Sequence, residues 1–166
     1  MTKAELLALT PADFDFTTHT LRINKSYQRL NREDVITPPK TLKSNRTIKI
    51  PQFLCDEMQD YLKMLYEPKE DERIFTISKS YLHHEMNRGS KVSGVKRIRV
   101  HDLRHSHVSL LINMGFTVLA IADRMGHESI DITYRYAHLF PSEQTQMAEQ
   151  LDIERMEKLN GEKSGQ

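Results

Sequence analysis

The stretch Val100-His101-Asp102-Leu103-Arg104-His105-Ser106-His107, running on into Val108, Leu110 and Leu111, constrains this chain more than any other. Val100, Leu103, His107, Leu110 and Leu111 recur at helical spacing, which predicts the start of a helix with one buried face. On such a helix His101 and Arg104 stand at i and i+3, so their side chains emerge side by side. An imidazole beside a guanidinium is a donor cluster suited to a phosphate. Two further groups follow in the chain: Met125-Gly126-His127, and Tyr134-Arg135-Tyr136-Ala137-His138.

The rest of the sequence predicts the frame around that helix. Its 166 residues fit one domain, or one domain plus a tail. Residues 4–9 form a short apolar helical remnant stopped by Thr10-Pro11, with the look of a cut helix. Phe14-Asp15-Phe16, then Thr20 to Asn24, then Thr47 to Ile50 alternate as strands, with residues 40–45 as the loop of a hairpin. After Pro51, a helix is marked by Phe53, Leu54, Met58, Tyr61, Leu62 and Leu65. Residues 73–77 are a short apolar segment. Residues 80–87 read as a helix stopped by Gly89, and residues 89–94 as a loop. Asn113-Met114-Gly115 closes the His-x-x-Arg helix. Residues 116–125 form another helix, broken by Gly126. Ser129 caps a further one over 129–137. Residues 141–159 read as a polar helix with a weak stripe of Met147, Leu151 and Met156, and residues 161–166 as a frayed end. The expected class is α+β: a mostly α-helical domain over 1–140 with a small three-stranded antiparallel sheet near the N-terminus. A C-terminal helix and tail follow over 141–166.

Composition excludes several classes. No apolar run approaches the roughly 20 residues of a membrane span, and the first residues lack the apolar core of a signal peptide, so no membrane partner and a cytoplasmic location are expected. A single cysteine, Cys55, excludes an internal disulfide and a Cys-rich zinc site. It reads as a small core residue of its helix. The net charge is only +1, yet the charges are segregated. Residues 19–49 hold eight cations, Lys40, Lys43 and Arg46 among them, against Glu33 and Asp34. Residues 88–104 hold six, including Arg97 and Arg99, against Asp102. A one-sided phosphate-binding face needs such segregation. Each segment taken alone also fits an ordinary solvated surface.

Breaking a DNA phosphodiester without metal needs a nucleophile, charge stabilisation for the non-bridging oxygens, and an acid for the leaving oxygen. Tyrosine can be the nucleophile and conserve the bond energy as a phosphotyrosine. His-x-x-Arg at 101–104, Gly126-His127, and Tyr136-Ala137-His138 nine residues after that histidine resemble, in order and spacing, the catalytic domain of the tyrosine recombinases, the phage-type integrases. That family has Leu-Gly-His where this chain has Met125-Gly126-His127. Its lysine lies in a β-hairpin that Lys40-Thr41-Leu42-Lys43-Ser44-Asn45-Arg46 resembles. Lys40 is the expected general acid. A hairpin shifted by one or two residues would substitute Lys43. The family's first arginine precedes a glutamate by three residues. Counting back from Glu5 places Thr2 in that slot, and Thr2 cannot clamp a phosphate.

The resemblance implies that Tyr136 is the nucleophile, that Arg104, His101 and His127 stabilise the phosphate, and that Glu5 supports the cluster. It implies double-stranded DNA as partner, Lys43, Arg46, Arg97 and Arg99 as backbone contacts, and no cofactor or metal. It also implies a homotetramer on DNA that can be a monomer in isolation, with the C-terminal helix either exchanged between neighbours or folded back on its own domain. The resemblance covers residues 4–139. The family's N-terminal DNA-clamping domain has no counterpart among them. Tyr134, two residues from Tyr136, points elsewhere, and His105 and His107 read as structural histidines. The Thr2 slot motivates the alternative of a degenerate or truncated domain that binds DNA or a partner without cleaving. His101-Asp102 resembles the His-Asp pair of metal-dependent phosphohydrolases, but no further acidic ligand stands at an evident spacing.

Overall fold

In the computed structural model, which describes residues 1–140 and 147–155, the chain begins with the single helical turn α1 (Lys3–Leu6). Thr2 caps it. The Glu5 amide donates to Thr2 Oγ1 at 3.2 Å, and the Thr2 amide donates to Glu5 Oε2 at 2.6 Å. Leu7, Ala8 and Leu9 follow and are buried. The Leu9 carbonyl accepts from the Ile74 amide at 2.8 Å, which ties in the apolar segment over 73–77.

Strands β1 (Phe14–Asp15), β2 (Thr20–Ile23) and β5 (Arg46–Lys49) make the expected antiparallel sheet, in the order β1-β2-β5. Leu21 faces Ile48 and Ile23 faces Arg46. A second hairpin, absent from the sequence reading, lies between β2 and β5. It pairs β3 (Ser26–Leu30) with β4 (Glu33–Thr37). Its turn, Asn31-Arg32, has positive φ at both central residues, the geometry that matches strand twist. Glycine usually marks that turn. Asn31 tolerates it and Arg32 does not advertise it. Arg73 closes this corner, with its guanidinium 4.0 Å from the Tyr27 ring centre and its Nη2 donating to Asp34 at 2.6 Å.

Helix α2 (Gln52–Met64) lays Cys55, Leu54, Met58, Tyr61 and Leu62 on Leu21, Ile23, Ile50 and Ile74. Cys55 is buried as read, whereas Phe53 faces outward. Helix α3 (Lys79–Ser93) runs straight through Gly89 and ends at Gly94 in the left-handed conformation. Gly89 weakens a helix by only about 1 kcal/mol, so it marked a stop that the backbone does not make.

Helix α4 (Asp102–Asn113) carries the His-x-x-Arg residues. Its buried face is Val108 and Ile112, supported by Leu111. Leu103 and Leu110, expected inside, are 50% and 53% exposed. Helix α5 (Val118–Met125), capped by Thr117, adds Ile121 and Met125 to this second core. Each such buried aliphatic contributes on the order of 2 kcal/mol. The helix expected over 129–137 is a single turn, α6 (Asp131–Tyr134), with a 3-10 turn at Ala137–Leu139. The Ser129 hydroxyl does accept from the Asp131 amide, at 3.1 Å. Residues 147–155 are helical. The remainder of the helix expected over 141–159, with Met156, and the segment 161–166 lie outside the described residues.

Two arginines join the sheet to the α4–α5 core. Arg46 Nε donates to the Arg124 carbonyl at 3.1 Å, and Arg124 Nη1 donates to the Lys49 carbonyl at 2.9 Å. The two ends of β5 are thereby strapped to the end of α5.

Candidate active site

Between the loop before β5 and the α4–α5 core there is an open cleft of about 360 Å³, lined by His101, Arg104, His105, His127 and Tyr136, with Thr2 on its edge. Four of the five expected catalytic residues therefore converge, from positions 35 residues apart in sequence. Each is held by a local device. His101 takes the cap position of α4, and Arg104 stands in the first turn. Arg104 Nη2 donates to the Met125 carbonyl at 2.6 Å, which fixes its long side chain. Burial draws the Arg104 pKa below the usual guanidinium value, against the opposing pull of Glu5.

Gly126 ends α5 in the left-handed conformation and turns His127 into the cleft wall. His127 is 7% exposed, and its Nδ1 shares a 2.8 Å hydrogen bond with the buried Thr133 hydroxyl. That bond fixes the ring plane and leaves Nε2 for the cleft. Burial, then the Arg104 and Arg46 charges, lower the His127 pKa to about 4. Burial, then His105 and Arg104, lower that of His101. At neutral pH the His127 ring is thus neutral. Tyr136 sits just before the final 3-10 turn and packs on the Val108–Ile112–Ile121–Met125 core. Its hydroxyl hydrogen-bonds to His105 Nδ1.

The depressed His127 pKa has a consequence for stability. The unfolded histidine takes its proton near pH 6.5, the folded one only near 4. Between those values the unfolded state binds more protons, so stability falls as pH drops through that window and levels off below it. Solvent in the open cleft screens the effect, and a loss of about 1–2 kcal/mol is expected. Urea unfolding of the wild type and His127→Gln at a series of pH values checks this. The part of the decline due to His127 disappears in the variant.

The remaining expected site residues lie around the cleft. Glu5 is buried. Burial alone would raise its pKa, but the Thr2 amide and the Arg46 guanidinium overcome that and hold it below the usual carboxylate value. Arg46, expected on the DNA-contacting face, is turned inward: its side chain is 8% exposed and pairs with Glu5 at 3.3 Å. It also donates to the Ser44 carbonyl at 2.9 Å. The alternation that marks a strand does not say which face its first residue takes. Lys40 is exposed on the loop before β5 and lines a neighbouring hollow of about 300 Å³ that shares Thr2 and Ser44 with the cleft. Lys43 is exposed on the far side of the same loop, in a hollow beside Gly126 and His127. Arg99 stays largely exposed while pairing with Asp102 at 2.9 Å, and Arg97 bonds to Asn87. Thr2, in the slot where the resemblance expects an arginine, lines the cleft and brings no charge to it.

His105, read as structural, and Thr133, not singled out at all, both belong to this site. His105 was legible, since it lies one helical turn after His101 and so shares its face. Thr133 was not, because only the fold brings it to His127. Among the described residues, no three His, Cys, Asp or Glu side chains group as metal ligands.

The model of the phage integrase family matches residues 1–143. The chain belongs to the phage integrase family. Among curated relatives of this integrase domain, the ICEBs1 integrase of Bacillus subtilis is 33% identical over 162 residues, covering 89% of this chain and 44% of that protein. A XerC-like tyrosine recombinase of Caldanaerobacter subterraneus is 25% identical, covering 90% of this chain and 45% of that protein. The chain therefore spans less than half the length of these relatives. Among solved structures, the Tn1549 transposon integrase in complex with a circular intermediate DNA superposes with a TM-score of 0.70 at 19% identity, covering 92% of this chain and 54% of that one. The catalytic domain of the bacteriophage HP1 integrase gives 0.55 at 23% identity, covering 87% of this chain and 71% of that one. The α+β architecture is thus that of integrase catalytic domains.

Proposed function

We propose that this integrase domain cuts and rejoins double-stranded DNA at a specific site, as part of the integration or excision of a mobile element. The observation that carries the reading is the convergence of Tyr136 with His101, Arg104 and His127 on one cleft. Tyr136 Oη attacks the scissile phosphorus in line, giving a 3′-phosphotyrosine and a free 5′-hydroxyl. Arg104 donates to the non-bridging oxygens as charge builds on them, and the two imidazoles add donors from the sides. Lys40 protonates the leaving oxygen after its loop swings across the Thr2–Ser44 edge, and Lys43 is the alternative acid. Lys43, Arg97 and Arg99 contact the backbone of the duplex, while Glu5 with Arg46 holds the loop that carries the acid. The exchanged strand's 5′-hydroxyl reverses the step, so no cofactor is required. Acting on cellular DNA, the protein works in the cytoplasm.

The test is covalent trapping on a nicked suicide duplex carrying a site recovered by selection on the protein. Mass spectrometry of the adduct should place a nucleotide on the peptide that holds Tyr136. Arg104→Ala should slow adduct formation by about 10²- to 10³-fold, the loss typical of one donor to a developing oxyanion. A rate unchanged by that substitution would remove Arg104 from the reaction.

A second reading is favoured by Thr2, which presents no positive charge to the cleft, and by the inward turn of Arg46. On that reading the domain retains DNA without cutting it. It predicts salt-sensitive retention and no adduct, even with Thr2→Arg.

We also propose a homotetramer on DNA, with monomers in its absence. An apolar groove of about 700 Å³ lies between Phe53, Leu110, Met114, Phe116 and Ile121. The helix over 147–155 carries exposed Met147 and Leu151 at i and i+4. Exchange of this helix into a neighbour's groove would bury both surfaces. Leu151→Asp should then shift the DNA-bound species from tetramer toward monomer in sedimentation, with the fold intact.

A further inference from the structure

We infer that His105 is the proton acceptor for Tyr136. The inference rests on the reading of Tyr136 as the nucleophile.

A tyrosine phenol ionises near pH 10, so a nucleophile of this kind is neutral at working pH and needs a base within hydrogen-bond reach. His105 Nδ1 is hydrogen-bonded to the Tyr136 hydroxyl, with the ring centres 5.8 Å apart. The other expected members of the site are placed for different work. Arg104 is engaged with the Met125 carbonyl, and His127 Nδ1 with Thr133. His101 meets His105 edge-on, with ring centres 5.0 Å apart. One turn of α4 therefore presents two imidazoles in a row, His101 toward the phosphate side and His105 on the phenol. His101 contributes by holding the His105 ring at right angles to its own. His105 shares the cleft with His101 and Arg104 from its own helix, with Arg135 and Tyr136 before the last turn, and with His127 and Glu128 after α5.

The step balances as follows. The Oη–H bond breaks and its proton forms a bond to His105 Nδ1, while the oxygen pair forms the Oη–P bond. The P–O5′ bond breaks, its pair stays on O5′, and the lysine acid protonates that oxygen. On rejoining, the 5′-hydroxyl returns its proton to the lysine, and Tyr136 leaves with the proton held on Nδ1. His105 touches the reacting oxygen and is therefore a catalytic residue rather than a support.

The experiment uses the adduct-trapping duplex with His105→Ala and His105→Gln. Both variants should retain DNA and melt like the wild type, since His105 is exposed. Both should form the adduct about 10²-fold more slowly, the low end for loss of a general base. The decisive arm replaces Tyr136 by 2,3,5-trifluorotyrosine, whose phenol ionises near neutral pH without help. With this nucleophile the His105→Gln deficit should shrink to less than about tenfold, because the base has less left to remove. An unchanged deficit would show that His105 only positions the ring, and an undiminished rate in the Gln variant would show that it does nothing; either overturns the inference and leaves Tyr136 in place. Failure of the wild type to form any adduct would overturn the nucleophile reading and this inference together.

Discussion

Tyr136→Phe should abolish the covalent adduct and leave DNA retention unchanged. The ring remains against the α4–α5 core, so the final turn keeps its place. What disappears is one hydroxyl, and with it the bond to His105. Removing a nucleophile that acts as a unit with its base costs at least about 10⁴-fold in rate. Tyr134→Phe is the control. Tyr134 is 53% exposed and does not line the cleft, so its loss should leave the adduct at wild-type level. An adduct that persists in Tyr136→Phe would move the nucleophile elsewhere.

Gly126→Ala should be strongly destabilising. Gly126 has φ +67°, where an L side chain is strained, and a Cβ there would stand 2.8 Å from the Lys43 carbonyl oxygen and 2.9 Å from Arg46 Cδ and Nη1. The left-handed backbone costs roughly 1–2 kcal/mol and the overpacking a further 1–3. About 3 kcal/mol in all should lower the melting temperature by roughly 10 °C for a domain of this size. The damage reaches the site. Arg46 is fixed by Glu5 and cannot retreat freely, so the loop bearing Lys40 and Lys43 is pushed off His127. Adduct formation should fall even at temperatures where the variant is folded. Gly89→Ala is the matched control. It lies inside α3 with nothing within 4 Å of its Cβ position, and should stabilise by up to about 1 kcal/mol. Thermal unfolding of the two variants checks both signs.

The reach of the sequence differs from element to element. The α4 helix was legible because its apolar residues repeat, but periodicity admits rotations of a fraction of a turn. Leu103 and Leu110 were placed inside, and Val108 and Ile112 took that role. The β3–β4 hairpin was missed because its turn uses Asn31-Arg32 in place of glycine. Gly89 misled in the opposite sense, since a helix tolerates what it does not prefer.

The sequence by itself determined the family and the order of the chemical groups: His101 and Arg104 one turn apart, a histidine behind a glycine, and Tyr136 at a set distance beyond. These are local patterns, and spacing along a helix or past a turn carries them. Only the tertiary structure decided that Arg46 turns inward to Glu5, that Thr133 holds His127, and that His105 meets Tyr136. Each of those contacts joins elements that no short-range rule relates. They exist because the Arg46 and Arg124 bonds to backbone carbonyls strap β5 to the end of α5, and the packing of Tyr136 on the α4–α5 core sets the last turn beside α4.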